Sequence, residues 1–208
     1  MRYKLVAFDL DGTLVKEISS WKSIHKFFGT EDEVSSNLKA YELGEIDYAE
    51  FMRRDIALWS KPIHINTIKK IMDEYTLAKD AKLTVDEIKS KRYKVAIISG
   101  GIDVLADMVA KKLGIRYTLA NGFAVDKNGY LTGEGIFRVD PINKHVALKS
   151  LAEDLGLTLK ECVAVGDGKY DEKFLKDAGL GIALGFNDKL EKVADRTIFE
   201  LKELLNVI

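Results

Sequence analysis

Four short segments of the chain are almost entirely apolar, and they limit the folds open to it more than any other feature. They are far apart in the sequence and comprise residues 4–8, 94–98, 161–165 and 179–184. Runs of this length that are apolar on both faces are typical of strands buried inside a parallel sheet. A weaker strand pattern covers residues 116–119.

Helical periodicity lies between these predicted strands. Residues 102–113 and 144–155 each carry apolar side chains at helical spacing. Both patterns stop at a glycine, Gly114 or Gly156, the residue type that most often ends a helix in the left-handed conformation. Strands that alternate with helices predict an α/β fold, with a Rossmann-like parallel sheet flanked by helices.

The stretch from residue 16 to residue 79 has a different pattern, with helical clusters of apolar residues and no convincing strand. We therefore predict an all-helical insertion, 16–79, and a core made of residues 1–15 plus 80–208. Within the core, Phe123–Val125 and Tyr130–Leu131 flank an Asn-Gly pair, which is a strong signal for a small β-hairpin.

Composition excludes several classes of protein. Of the 208 residues, 47% are hydrophobic and 31% are charged, which favours an ordinary globular protein over a disordered one. A net charge of −1 gives no reason to expect a nucleic acid or an anionic membrane as partner. The single cysteine, Cys162, cannot form an internal disulfide, and the apolar run before Asp9 is too short for a signal peptide or a membrane span. We therefore expect a cytoplasmic protein.

Two aspartates follow the first predicted strand directly. Asp9 and Asp11 are two residues apart, so that their side chains share one side of an extended chain, and Gly12 and Thr13 come next. Ligands of open α/β sheets bind at the carboxyl ends of the strands. A single aspartate in a turn usually stabilises a loop. Two adjacent carboxylates repel each other unless a cation or a proton relieves them, so this pair favours a functional site over an ordinary turn.

Polar residues follow other strands as well. Ser99 and Gly100 come after the second apolar run, where a hydroxyl and backbone amides at a helix start can cradle a phosphate. Lys144 lies near a helix N-terminus, which disfavours a cation and therefore predicts an anionic partner. Asp167 and Asp171 follow the third run in an acidic turn suited to a divalent cation. Each feature alone has an ordinary structural explanation, but their agreement favours one site.

These motifs, in this order, resemble the four motifs of the haloacid dehalogenase superfamily, and they span nearly the whole chain. The residues that carry the resemblance are Asp9-Leu10-Asp11-Gly12-Thr13-Leu14, Ser99, Lys144 and Gly166-Asp167-Gly168 with Asp171. The helical insertion resembles the cap of the subfamily whose cap follows the first motif. Within that subfamily the cap size, the segment 99–101 and the predicted hairpin are most similar to phosphoserine phosphatases.

The resemblance implies a phosphomonoester hydrolase that depends on Mg²⁺, forms an aspartyl-phosphate and acts on a small phosphorylated metabolite. It assigns the nucleophile to Asp9, the general acid and base to Asp11, and a third catalytic position to Lys144. The implied phosphate-binding groups are Ser99, Lys144 and the backbone at Leu10 and Gly100. The implied metal site comprises Asp9, the backbone carbonyl of Asp11, Asp167 and Asp171.

Three positions depart from the phosphoserine phosphatase pattern. The cap glutamate that holds the substrate amine in those enzymes aligns with Ile18, and the cap arginine for the substrate carboxylate aligns with Asp55. The asparagine before the last motif aspartate is replaced by Tyr170. Our candidates for substrate contact from the cap are Glu17, Trp21, Arg53 and Arg54.

Alternative functions remain open at this point. Phosphoryl transfer to another acceptor, or hydrolysis of a different ester such as a sugar phosphate, is compatible with the same motifs. A non-catalytic binding module is disfavoured because Asp9, Asp11 and Lys144 are all present. A response-regulator receiver does not carry its nucleophile on the first strand in this form, nor a helical insertion. We expect a small phosphate ester as partner, no nucleic acid, no membrane, and a monomer or homodimer.

Overall fold

A mainly parallel β-sheet forms the centre of the protein. The computed structural model describes residues 2–16 and 19–208, and within these the sheet has seven strands in the order β4-β3-β2-β1-β5-β6-β7. Only β4 runs antiparallel to its neighbour. The strands are β1 Leu5–Phe8, β2 Lys94–Ile102, β3 Tyr117–Val125, β4 Leu131–Ile136, β5 Cys162–Gly166, β6 Leu180–Leu184 and β7 Arg196–Ile198. The predicted α/β fold with a Rossmann-like sheet is confirmed.

The first strand lies in the middle of the sheet. Phe8 is in register with Ile97 of β2 on one side and with Val165 of β5 on the other. The carboxyl ends of β1, β2 and β5 therefore lie at the same edge of the sheet. The polar motifs come directly after these strands in the sequence, so they lie at this edge as well.

Helices cover both faces of the sheet. On β1, Val6 and Phe8 belong to one buried cluster, while Leu5 and Ala7 belong to the other. The first cluster includes residues of α5 (Ala81–Ser90) and α6 (Asp103–Leu113), and the second includes residues of α7 (Lys144–Asp154) and α8 (Glu172–Asp177). This double coverage explains why the strand sequences are apolar throughout.

The predicted ends of two of these helices are confirmed. Gly114 follows α6 with φ 64°, and Gly156 lies just after α7 with φ 67°. Both glycines are in the left-handed conformation that stops a helix.

The described part of the predicted insertion is helical. Its helices are α1 Ser20–Phe28, α2 Val34–Glu42, α3 Tyr48–Leu58 and α4 Ile65–Met72. The two chain segments that join it to the core run side by side, because the amide of Lys16 donates to Thr76 (2.9 Å) and the amide of Ala78 donates to Leu14 (2.8 Å). The division of the chain into a core and a cap at residues 16–79 stays a prediction.

The hairpin predicted around Asn128-Gly129 is formed by β3 and β4. Val125 pairs with Leu131, and the Asp126 carboxylate accepts from the amides of Asn128 (2.8 Å) and Tyr130 (2.9 Å). The amide of Ile65 donates to Gly129 (2.9 Å), so the hairpin also supports the helical insertion. No helix in residues 2–16 and 19–208 is long and apolar enough to cross a membrane.

The burial of Cys162 generates a first prediction. Its side chain is fully buried at the start of β5, and burial raises the pKa of its thiol to about 11. An unfolded cysteine has a pKa of roughly 8.5, so the folded protein holds roughly 300-fold less thiolate at neutral pH. We expect a thiol reagent such as 5,5′-dithiobis(2-nitrobenzoate) to react with Cys162 only as fast as the protein unfolds. Rapid reaction of the native protein would contradict the packing of β5.

Candidate active site

Asp9 stands at the carboxyl end of the central strand. Its amide donates to the carbonyl of Val165 (2.9 Å), so the pairing of β1 with β5 continues as far as this residue. The residue is 5% exposed. The strand thus presents a carboxylate at the sheet edge from a backbone position that sheet hydrogen bonds hold fixed.

Lys144 is a buried cation between two carboxylates. It is the first residue of α7, is 4% exposed, and its Nζ lies 2.7 Å from Oδ1 of Asp9 and 2.7 Å from Oδ1 of Asp171. Burial acts to lower the pKa of Lys144, but the two carboxylates raise it above its usual value. The ammonium therefore stays charged and holds both acids in place.

Asp171 organises the loop that follows β5. Its Oδ2 accepts from the amides of Asp167 (3.1 Å) and Gly168 (2.9 Å), while its Oδ1 accepts from Lys144 (2.7 Å). Both oxygens are thus engaged by the protein, which fits a residue that positions Lys144 and the acidic turn.

Asp167 approaches the first motif closely. Its Oδ1 accepts from the Thr13 hydroxyl at 2.6 Å, and a Cβ at Gly12 would overlap its Oδ2. Gly12 also has φ +85°, a conformation that glycine adopts without strain. Only glycine therefore satisfies both the turn after β1 and the approach of the carboxylate.

The acidic residues can hold a divalent cation. Asp9, Asp167 and Asp171 each offer a carboxylate oxygen, and these atoms lie within 4.8 Å of one another. Burial raises the pKa of Asp9 well above its usual value, although Lys144 opposes this, and burial raises the pKa of Asp167 to about 6. One ammonium does not balance three buried or half-buried carboxylates. Oxygen donors in this arrangement suit a hard cation such as Mg²⁺.

Asp11 is bound by the first turn of the insertion. Its Oδ2 accepts from the amide (3.1 Å) and the hydroxyl (2.8 Å) of Ser20, and Ser20 Oγ accepts from the amide of Ile102 (3.1 Å). A Cβ at Gly101 would overlap both Asp11 Oδ2 and Ser20 Oγ. We did not predict Ser20 from the sequence; a serine in the first turn of a helix usually signals only a helix start.

The segment 99–101 differs from our prediction in one respect. We expected Ser99 and Gly100 at the start of a helix, but β2 continues to Ile102 and α6 begins at Asp103. The register against β3 shifts between Ile98 and Ile102, which marks an irregular strand end. The 2%-exposed Ser99 accepts from the amide of Gly101 (3.0 Å).

The backbone at Leu10 and Gly100 is tightly held. The Leu10 carbonyl accepts from the amide of Leu14 (2.9 Å), which closes the turn after β1. The Gly100 carbonyl accepts from the side chains of Tyr48 (2.7 Å) and Asn121 (3.0 Å), and at longer range from Trp21 (3.4 Å). The carbonyl of Gly100 is therefore a junction between the insertion and the sheet edge.

A cavity of about 350 Å³ lies between the sheet edge and the helical insertion. Its core side includes seven of the predicted site residues, namely Asp9, Asp11, Ser99, Gly100, Lys144, Asp167 and Asp171. Its insertion side includes Trp21, His25, Leu38, Tyr41, Tyr48, Phe51 and Asp55. One cavity thus joins residues of all four motifs.

The four cap candidates are placed very differently. Trp21 lines the cavity. Arg53 and Arg54 are largely exposed, each 2.7 Å from Glu50, and neither lines the cavity. Glu17 lies outside the described residues.

Asp55, which aligns with the substrate-binding arginine of phosphoserine phosphatases, is fully buried. Its Oδ2 lies 3.0 Å from His25 Nε2, and its Oδ1 accepts from Asn37 (2.8 Å). His25 Nδ1 lies 2.8 Å from the Thr30 hydroxyl. Where phosphoserine phosphatases have the substrate-binding arginine, this protein therefore has an aspartate that belongs to an internal hydrogen-bonded network.

Comparison with known proteins decides the family. The family model of the haloacid dehalogenase-like hydrolases matches residues 3–179. The chain belongs to this family.

Two proteins with similar sequences are both named phosphoserine phosphatase. The chain is 35% identical to a phosphoserine phosphatase of Methanocaldococcus jannaschii, over 99% of this chain and 97% of that protein. It is 34% identical to a phosphoserine phosphatase of Archaeoglobus fulgidus, over 94% of this chain but only 56% of that longer protein.

Solved structures agree with this placement. A phospho-aspartyl intermediate analogue of phosphoserine phosphatase matches with a TM-score of 0.82 and 33% identity over 100% of both chains. A substrate-bound phosphoserine phosphatase complex matches with a TM-score of 0.83 and 32% identity, over 100% of this chain and 99% of that one. The prediction of a haloacid dehalogenase phosphatase similar to phosphoserine phosphatases is confirmed.

The network around Asp55 generates a second prediction. The substitution Asp55→Ala leaves the buried His25 and the partly buried Asn37 without their acceptor, which costs roughly 3 kcal/mol in the free energy of unfolding. Its neighbour Arg54 is exposed and pairs with Glu50 on the helix surface, so Arg54→Ala should change stability by less than about 0.5 kcal/mol. Chemical denaturation of both variants checks this. Equal stability of the two would refute a structural role for Asp55.

Proposed function

We propose that this protein is a Mg²⁺-dependent phosphomonoester hydrolase that acts through an aspartyl-phosphate on a small phosphorylated metabolite. The observation that carries the proposal is the position of Asp9, which Lys144 holds at 2.7 Å beside Asp167 in a cavity between the sheet and the helical insertion. The similarity to phosphoserine phosphatases supports the same reaction.

In this proposal, Asp9 is the nucleophile. Lys144 binds its Oδ1, which leaves Oδ2 as the oxygen that would attack phosphorus. An oxygen–phosphorus bond forms as the bond from phosphorus to the leaving alcohol breaks. Lys144, the Ser99 hydroxyl and the backbone at Leu10 and Gly100 would bind the phosphoryl oxygens, where negative charge is concentrated.

Asp11 would move the protons. It gives a proton to the leaving oxygen in the first step and takes one from the attacking water in the second, when the bond between Asp9 and phosphorus breaks and phosphate leaves. The two hydrogen bonds from Ser20 fix the orientation of the Asp11 carboxylate. Because Ser20 belongs to the insertion, the insertion contributes directly to the orientation of this acid.

Mg²⁺ would be held by Asp9, Asp167 and the backbone carbonyl of Asp11, with Asp171 beside them, and would neutralise negative charge on the phosphoryl group. The cluster of carboxylate oxygens and the raised pKa values of Asp9 and Asp167 support this assignment. Asp171 acts mainly through Lys144 and the amides of the acidic turn.

A third prediction concerns the nucleophile. In the Asp9→Asn variant the amide oxygen can still accept from Lys144, so the fold should persist, but the attacking oxygen is lost. We expect turnover of p-nitrophenyl phosphate to fall by roughly a thousandfold or more. Circular dichroism and thermal unfolding verify folding, and the exposed Asp32→Asn serves as the matched control. A folded Asp9→Asn protein with wild-type turnover would rule out the nucleophile.

A fourth prediction concerns the metal. Treatment with EDTA should abolish turnover, and added Mg²⁺ should restore it. Mg²⁺ should also raise the Tm of the wild-type protein, because a ligand that binds only the folded state stabilises it. Asp167→Asn should remove most of this rise, whereas Asp188→Asn, an exposed position on a nearby loop, should not. Full activity after EDTA treatment, or an unchanged Tm response in Asp167→Asn, would refute the site.

A further inference from the structure

The insertion faces the nucleophile with aromatic rings. Trp21, Tyr41, Tyr48 and Phe51, here called the aromatic wall, all line the cavity that contains Asp9. The rings pack on one another: Tyr48 stacks on Phe51 (centroids 5.1 Å apart, 21° between planes), and Trp21 meets Phe51 edge to face at 5.9 Å. They form a continuous apolar surface opposite the phosphoryl site.

The polar tips of this wall are already engaged by the core. The Tyr48 hydroxyl donates to the Gly100 carbonyl at 2.7 Å, and the Tyr41 hydroxyl donates to the Asp140 carboxylate. The Trp21 indole N–H points at the same Gly100 carbonyl, at 3.4 Å. A ligand in the cavity therefore meets mainly ring faces and edges, which recognise apolar and aromatic groups.

Several charged side chains around the cavity are also paired within the protein. Lys144 binds Asp9 and Asp171, and Lys169 binds Glu42. Asp55 is fully buried and held by His25 and Asn37.

Among the cavity-lining residues that the structure describes, the remaining cation is Lys22, whose side chain is exposed. Met1, Glu17 and Ile18, which are not described, carry no cationic side chain. A carboxylate on the leaving group would lose its hydration when it is buried in this cavity. Among the described lining residues it would meet no unpaired buried cation, so its burial would be strongly unfavourable.

We propose that the alcohol released by this phosphatase is uncharged and largely apolar, with an aromatic ring or aliphatic body that packs on the aromatic wall. Phosphoserine, whose leaving group carries both a carboxylate and an ammonium, is then a poor substrate. This inference rests on the proposed hydrolase function and specifies its substrate class.

The test compares kcat/KM in saturating Mg²⁺ for three alkyl phosphates. O-phospho-L-serine and propyl phosphate share a three-carbon chain and differ in the two charged groups, while 2-phenylethyl phosphate adds a ring. We expect kcat/KM for propyl phosphate to exceed that for phosphoserine by at least about tenfold, and kcat/KM for 2-phenylethyl phosphate to exceed that for propyl phosphate. Serine is the more acidic alcohol, so chemistry alone favours phosphoserine, and the reverse order reports recognition by the cavity.

Variants of the insertion sharpen the comparison. Leu38→Arg places a cation on the insertion side of the cavity. It should raise the ratio of kcat/KM for phosphoserine to kcat/KM for propyl phosphate at least about tenfold. Leu38→Met, of similar volume and uncharged, should leave that ratio unchanged. Phe51→Ala should lower kcat/KM for 2-phenylethyl phosphate relative to that for propyl phosphate, because it removes the ring on which the phenyl group of the substrate would pack.

The possible failures are distinguishable. If the wild-type enzyme hydrolyses phosphoserine as well as propyl phosphate or better, the substrate class is wrong and the hydrolase function stands. If the folded protein hydrolyses none of the three esters and no p-nitrophenyl phosphate, the proposed function fails, and the substrate class with it.

Discussion

The buried ammonium of Lys144 is the interaction on which the candidate site depends. It lies 2.7 Å from Asp9 at the end of β1 and 2.7 Å from Asp171 after β5, so it joins two strands and a helix at one point. A lysine at a helix N-terminus opposes the helix dipole, and burial adds a desolvation cost. Two carboxylates offset both effects. In turn, Asp171 orders the acidic turn of Asp167 through two backbone amides.

The features that could be predicted from the sequence were local ones. Buried parallel strands are short and apolar on both faces, so their positions are evident from the residue pattern alone, and the motifs follow the ends of these strands. Gly114 and Gly156 are local signals too. By contrast, the edge strand β7 is three residues long, and the sequence analysis did not predict it, nor α5 or α8. Such short or amphipathic elements depend on packing more than on their own pattern.

The contacts that the sequence could not show are those between distant residues. Ser20 and Asp11 are nine residues apart, but Ser20 and Ile102 meet only because the insertion folds over β2. The position of Asp55 illustrates the same limit. Alignment showed that an acid replaces an arginine, but not that this buried acid lies 3.0 Å from His25 and accepts a hydrogen bond from Asn37. Asp55 has the opposite charge to the arginine at the aligned position, and its carboxylate is bound within the protein by His25 and Asn37.

The same aromatic side chains that cover the site also connect the insertion to the core. Tyr48 and Trp21 both point their donors at Gly100, the neighbour of Ser99, and Tyr41 binds Asp140 ahead of the helix that begins at Lys144. In the proposed function, the residues that recognise the substrate therefore also connect the insertion to the core. A ligand that packs well on the rings would stabilise the arrangement in which Ser20 binds Asp11. Selectivity for the leaving group should consequently act on kcat as well as on KM, because a poorly packed alcohol leaves the proton donor less well placed.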